Sequence, residues 1–425
     1  MATRIAGLGH RRDVSRTWPR GHARAGDHEE AGYAVIATGT FVVLAATLLS
    51  PGIDAVTAHF KETGTRFGTP DLLAKMMITT PAAVVGLVAP FGGYLLDRLG
   101  RRSVLLAGVL LYGIAGSIGG LLSDPIALLA SRVVFGLGVA AILLSTTTLI
   151  GDYFDGRERR QMLGWQIAAI SLVSTGGMFL AAYLLSHSWR LPFAVYGLIL
   201  LLLPWVWATV DEPREAEKSD DQADESEHGV PWHKVGLIFT ASFFALAIFH
   251  IATTQIPSYL KELGYGSPYA TAAIVSIISI VGVPSSMLFD KARDRFSNQV
   301  LLIGVFGIGA IGFAIAGAYQ SIWTLCIGLA VFGSLYGLRT PAFNAWLLNV
   351  APAKYRGRLV GGLTAATFFG IFASPLLSNP LKEAVGMPKV ILVAAGLQAV
   401  FAGAFAYFAI VRNNDDKSEA DAATA

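Results

Sequence analysis

Three cations, a carboxylate and a histidine interrupt stretches of this sequence that are otherwise apolar: Lys75, Arg132, Arg339, Asp54 and His250. An ionisable group in such surroundings costs about 3 kcal/mol on insertion scales unless it faces water or a partner, so each is a candidate for binding an ion or moving a proton. Arg339, in Leu338-Arg339-Thr340-Pro341, is too deep in its run to reach water, and two readings stand: it meets an anion in a cavity, or it pairs with carbonyls freed by Pro341. His250 shares a helical face with Thr253, Thr254 and Pro257, either as a proton carrier or as a neutral imidazole bonded to backbone. Asp54 and Lys75 fall near the ends of their runs and could pair with each other; if they do not, Asp54 is the carboxylate placed to carry a proton. Gln255 and Asn344 are polar side chains able to orient a ligand.

The elements that must position these groups follow from composition. The chain is 54% apolar and only 14% charged, with a mean hydropathy of +0.56, whereas soluble domains carry about 25% charge. Twelve apolar runs are each long enough for a helix to cross roughly 30 Å of hydrocarbon. They lie near 33–58, 72–96, 103–123, 125–150, 162–185, 192–210, 235–257, 268–289, 299–318, 322–348, 358–378 and 389–411. The expected fold is an all-α membrane protein, not an enzyme: there is no nucleophile elbow, no metal-spaced His cluster and no phosphate-binding glycine loop joined to a strand. The single cysteine, Cys326, excludes an intramolecular disulfide. No Asn-x-Ser/Thr sequon occurs, which suits a bacterial inner membrane.

Basic residues collect in alternate loops. With the N-terminus inside, 23 of the 32 Lys and Arg fall in the inner segments, so both termini are expected to be cytoplasmic. The tail 1–32 carries Arg4, Arg11, Arg12, Arg16, Arg20 and Arg24 with no apolar export signal close behind, and is read as a positive anchor. Residues 211–234 hold nine acidic and three basic side chains with almost no apolar content, and are read as a flexible linker. That divides the chain into six-helix units 33–210 and 235–411, followed by a tail 412–425. The units look duplicated. Phe60-Lys61-Glu62-Thr63-Gly64 resembles Leu260-Lys261-Glu262-Leu263-Gly264 at an offset of 200, and the loop from Asp152 to Gly164 matches Asn349 to Gly361 at 197.

Between the second and third runs stands Gly93-Tyr94-Leu95-Leu96-Asp97-Arg98-Leu99-Gly100-Arg101-Arg102. Its pattern, Gly-x-Leu-x-Asp-Arg-x-Gly-Arg-Arg, resembles the loop between helices 2 and 3 of the major facilitator superfamily. The resemblance implies two six-helix bundles with a solute bound between them and carried by alternating access. It implies a gate in which Gly93 and Gly100 allow a tight turn or close packing, and Asp97 accepts hydrogen bonds from Arg101 and from amides at the start of helix 11. Arg98 and Arg102 complete the pattern, and Asp152 is the third charge of the relay. Leu129-Ala130-Ser131-Arg132-Val133-Val134-Phe135-Gly136-Leu137-Gly138 resembles the family's Arg-x-x-x-Gly-x-Gly pattern, in which the arginine of exporters lines the cavity; Arg132 reaching the outer interface along its own stem is the alternative. Where antiporters carry Gly-Pro-x-x-Gly-Gly, this chain has Gly176-Gly177-Met178-Phe179-Leu180-Ala181.

The expectation is therefore a secondary transporter of a small organic solute, working as a monomer in the bilayer with no cofactor and no nucleic-acid partner. Proton-coupled efflux of a drug or metabolite is the first reading and proton-linked uptake of a small organic anion the alternative; a transporter-like sensor is a remote third. The deep cations favour an anionic or zwitterionic substrate.

Overall fold

The computed structural model describes residues 25–64, 68–213 and 230–424. Among them, twelve helices are long and apolar enough to cross a membrane. They are α1 (Glu29–Thr63), α2 (Pro70–Leu99), α3 (Arg101–Leu121), α4 (Pro125–Tyr153), α5 (Gly156–Leu185), α6 (Leu191–Thr209), α7 (Trp232–Thr254), α8 (Pro268–Met287), α9 (Asn298–Ala318), α10 (Ile322–Val350), α11 (Arg356–Val385) and α12 (Met387–Ile410). All twelve expected runs are present, forming two six-helix bundles. Helix α5 begins six residues before its apolar run and α11 ends seven after it. Hydropathy marks the hydrocarbon, whereas a helix persists through the interface because its backbone bonds are already satisfied. The final helix likewise continues to Thr424. The basic tail up to Arg24 and the linker from 214 to 229 lie outside the described residues.

Local sequence explains several starts. Thr69, Asp124 and Ser267 each precede a proline, and each side chain accepts the amide hydrogen of the residue three on: Leu72 (3.3 Å), Ala127 (2.8 Å) and Ala270 (3.0 Å). An oxygen cap followed by a residue with fixed φ starts a helix without an orphaned donor. Four spans are interrupted, α2 by a 3-10 turn at Ala89–Phe91 and α6 by one at Leu198–Leu202. Helix α1 passes through a 3-10 turn at Ser50–Gly52, and α10 divides into Ile322–Tyr336 and Arg339–Val350.

Within each half the helices meet backbone to backbone at glycines. A Cβ on Gly136 of α4 would lie 2.9 Å from Pro81 Cα of α2, and one on Gly333 of α10 would lie 3.0 Å from Ile278 Cα of α8. Gly138 and Gly312 are as tight, each 2.5 Å from an amide nitrogen, of Tyr112 and Phe332 respectively. Such contacts let van der Waals packing hold the helices where hydrophobicity gives no driving force.

One end of the molecule gathers the charged loop at Gly100 and the ends of α4 and α6, and is here the Arg-rich end; His59, Ser123, Trp189 and Lys382 lie at the far end.

Candidate functional site

The Arg-rich end carries the charged loop. Gly100 has φ +84°, a conformation glycine adopts without strain, which turns α2 into α3 as expected. Gly93 differs from expectation: it is exposed and a Cβ there would meet nothing within 4 Å, while the neighbouring Gly92 is the buried one, pressed on Leu144. Arg101 donates to Asp97 (3.2 Å) and faces Asp152 (3.4 Å), so the three charges stand together. Arg98 donates to Tyr94 Oη (2.8 Å), and Arg102 donates to the Trp207 carbonyl (2.7 Å) with its guanidinium 5.1 Å from that ring. Asp97 makes no hydrogen bond to α11 among the described residues. The close approach between α2 and α11 occurs deeper, where a Cβ on Gly361 would lie 3.1 Å from Pro90 Cα; Gly362 packs against Phe239 of α7 instead.

The linker's first residues are docked, contrary to the expectation of a free segment. Glu212 accepts hydrogen bonds from the amides of Arg101 (2.6 Å) and Arg102 (2.8 Å), and Tyr153 donates to the Asp211 carbonyl. A carboxylate on the open amides of a helix start satisfies both donors and the local dipole.

Arg132 follows neither reading made from its sequence. It is 1% exposed and lies inside the N-terminal half, donating to the carbonyls of Ala115 (3.1 Å) and Gly116 (3.0 Å) at the end of α3. Its guanidinium sits 4.7, 5.0 and 5.6 Å from the rings of Phe135, Phe193 and Tyr196. Aromatic faces and helix-terminal carbonyls surround the charge, with Nη1 left without a partner among the described residues, so the arginine neither lines the space between the halves nor reaches an interface.

Arg339 starts the second segment of α10. It is 93% buried (7% exposed); Nη2 donates to Thr340 Oγ1 (2.9 Å), and Nε has no partner among the described residues. It does not pair with carbonyls freed by Pro341. Its guanidinium lies 4.9 Å from the Tyr336 ring, whose buried hydroxyl also has no partner among the described residues. Tyr336 stacks on Phe249 of α7 (4.4 Å, 11°), and Phe249 adjoins His250 (5.2 Å), which brings the two candidates to one place. His250 Nδ1 donates to the Leu246 carbonyl (3.1 Å), the backbone-bonded arrangement. Thr253 and Thr254 donate to the His250 carbonyl, and Asn344 Nδ2 donates to the Thr340 carbonyl (3.1 Å) within α10.

At the far end Asp54 and Lys75 do not pair with each other, which is the second of the two arrangements their sequence left open. Asp54 Oδ1 accepts from Ser258 Oγ (3.0 Å), and Lys75 is paired with Asp71, one turn earlier on α2 (2.5 Å). The Lys75 ammonium is fully buried and also donates to Gln255 Oε1 (2.6 Å) and Asn379 Oδ1 (2.8 Å). Gln255 Nε2 donates to Ser378 Oγ (2.7 Å) and Asn379 Oδ1 (2.8 Å), and Asn379 Nδ2 returns to Asp71 Oδ2 (2.9 Å). Sequence reasoning missed Asp71, Ser378 and Asn379. The signals were an acid and a lysine at i, i+4, and a Ser374-Ser378-Asn379 polar stripe at the end of an apolar run.

A cavity of about 290 Å³ opens between α7, α11 and α12, lined almost wholly by aliphatic side chains such as Ile248, Ile251, Leu377 and Val390. It belongs to the C-terminal half alone. Among the described residues, no group of three or more His, Cys, Asp or Glu could hold a metal.

Two pseudo-symmetric helical bundles, tied across their contact by polar side chains and carrying a charged cluster at one end, fit a membrane transporter rather than an enzyme. The chain belongs to the Major Facilitator Superfamily, whose model matches residues 35–375 and again 285–425. It is 25% identical over 369 residues to a gallate transporter of Pseudomonas putida, covering 77% of this chain and 81% of that one. It is 23% identical over 306 residues to the quinolone resistance protein NorA of Staphylococcus aureus, covering 70% and 77%. Its fold is similar to the inward open conformation of the xylose transporter XylE from E. coli, with a TM-score of 0.71 at 14% identity over 89% of this chain and 95% of that one.

Proposed function

We propose that this secondary transporter takes up a small organic acid, with Arg339 meeting the carboxylate. The observation that carries this reading is the buried guanidinium of Arg339: its Nε has no partner among the described residues, in a span where an unmet donor is costly. A carboxylate supplies the two acceptors a guanidinium fork fits. The Tyr336 hydroxyl beside it offers a further polar contact for a hydroxylated or aromatic acid. The name of the gallate transporter agrees with that chemistry. In this reading the Arg-rich end faces the cytoplasm of a bacterial inner membrane, both termini lie there, the carrier is a monomer, and the proton gradient drives it. The Asp97–Arg101–Asp152 cluster is the inner gate.

Efflux is the second reading, favoured by the Arg-x-x-x-Gly-x-Gly pattern and by the likeness to NorA. It is the weaker one here, because Arg132, the residue through which that pattern acts, is sealed among aromatic rings.

A thermal-shift panel on detergent-purified protein tests the proposal, comparing aromatic and aliphatic carboxylates with lipophilic cations for the parent and for Arg339→Ala. A ligand at 100 times its dissociation constant adds about 2.7 kcal/mol. Stabilisation of the parent by carboxylates, lost in Arg339→Ala, is the expected result. Equal stabilisation of both proteins by lipophilic cations, with no response to carboxylates, would overturn it.

A further inference from the structure

We infer that Lys75 is the latch that holds the two halves together at the far end, and that its bonds to Gln255 and Asn379 break and re-form in every transport cycle. The inference holds whichever solute is carried. Lys75 and Asp71 ride on α2 of the N-terminal half, whereas Gln255 follows α7 and Asn379 lies on α11 of the C-terminal half. Among the described residues, every side-chain hydrogen bond between the halves belongs to this cluster or lies on the same side of the molecule. The others are Ser50 Oγ to the Thr253 carbonyl (2.6 Å), Ser258 Oγ to Asp54 (3.0 Å), and Ser276 Oγ to Met178 Sδ (3.7 Å). At the Arg-rich end the halves meet instead through glycine, Gly361 on Ala89 and Pro90. The polar grip on the far end is therefore one-sided, and Lys75 is its one cation.

The arrangement is suited to reversible use. An ammonium has three donors, and all three are engaged, one within the half and two across to the other. When the halves part, Asp71 stays one turn away on the same helix, so the cation keeps a counter-ion while it exchanges two amide oxygens for water. A lysine without Asp71 would be left as an unpaired charge near the membrane, and separation would be blocked. Gln255 and Asn379 are neutral, so neither half carries away a stranded charge. Asp54, and Lys382 held by Glu262 (3.0 Å), are the further charges that act on Lys75, and neither hydrogen-bonds to it.

Pulsed EPR on the full chain in nanodiscs tests this without any substrate. Cys326→Ser removes the native thiol, and spin labels at Lys61→Cys and Tyr265→Cys, both exposed at the far end on opposite halves, report the separation. The parent is expected to show mainly the short distance, Lys75→Arg to stay close to it, and Lys75→Met to raise the long-to-short ratio by about tenfold or more, since two charge-assisted bonds are lost. Gln255→Leu and Asn379→Leu, which leave the Lys75–Asp71 pair intact, should shift the ratio in the same direction and keep the test decisive if Lys75→Met does not fold. A folded Lys75→Met, or both leucine variants, with the parent's distribution would overturn the latch, as would a parent that already populates the two distances equally. Carboxylate binding is not read in this experiment, so its outcome stands apart from that of the Arg339 panel.

Discussion

Replacing Arg132 separates a structural arginine from one that couples transport. Its two bonds to the Ala115 and Gly116 carbonyls are charge-assisted and worth about 1.5–3 kcal/mol each, and a desolvated cation over an aromatic face adds about 2. Against this stands the cost of keeping a charge in a low-dielectric interior, several kcal/mol even after relaxation. No carboxylate among the described residues pairs with Arg132, so the gains and the cost nearly cancel. Arg132→Met keeps most of the volume and removes both the charge and its cost, so it should destabilise by only about 1 kcal/mol. Both variants leave the Ala115 and Gly116 carbonyls without this donor; Arg132→Ala adds a cavity among Phe135, Phe193 and Tyr196, worth about 3 kcal/mol more, and should cost about 4 kcal/mol in all. At roughly 2–4 °C per kcal/mol for a half of this size, the unfolding midpoint in detergent should fall by about 8–16 °C for alanine and about 2–4 °C for methionine. Transport in proteoliposomes below both midpoints should then survive in Arg132→Met. A methionine variant that unfolds like the parent yet carries no solute would refute the reasoning and return Arg132 to a coupling role.

Two further perturbations follow from the packing. Glu212→Gln removes the charge that covers the Arg101 and Arg102 amides, which should loosen the start of α3 by about 1 kcal/mol and speed amide exchange there about fivefold in hydrogen–deuterium exchange. Unchanged exchange would show that the linker's anchor does not stabilise the loop. Gly370→Ala drives a methyl into the Phe243 carbonyl of α7 and should cost about 1–3 kcal/mol in thermal unfolding, whereas Gly396→Ala, which points into open space, should stay within about 0.5 kcal/mol. Equal midpoints for the two would refute the close contact of α7 with α11.

The twelve spans were legible because a bilayer imposes one rule on every segment, so apolar length alone marks them. The charged loop was legible as a string, and the Asp97, Arg101 and Asp152 side chains do stand together. Partners chosen by tertiary contact were not. Lys75 was set beside Asp54 by proximity to a membrane end, but Asp71 is nearer on its own helix, and the apolar run that stopped at 378 left Asn379 outside consideration. The Arg-x-x-x-Gly-x-Gly pattern implied an Arg132 that lines the cavity, yet a pattern read along one helix does not say whether a side chain points between the halves or into one of them. Only the ring positions around it decide that.

Gly136 with Pro81 and Gly333 with Ile278 are equivalent contacts, each residue 197 positions from its counterpart. The buried arginines are not: at the same interval Arg132 corresponds to Leu329 and Arg339 to Ile142. Duplication has thus preserved the spacing of the main chain while letting the charges diverge. Matched frames give main-chain packing little bias between the two end states of an alternating-access cycle. Their balance then falls to whichever few side chains break the symmetry, and a substitution of one of these resets the resting orientation of the carrier without altering its architecture.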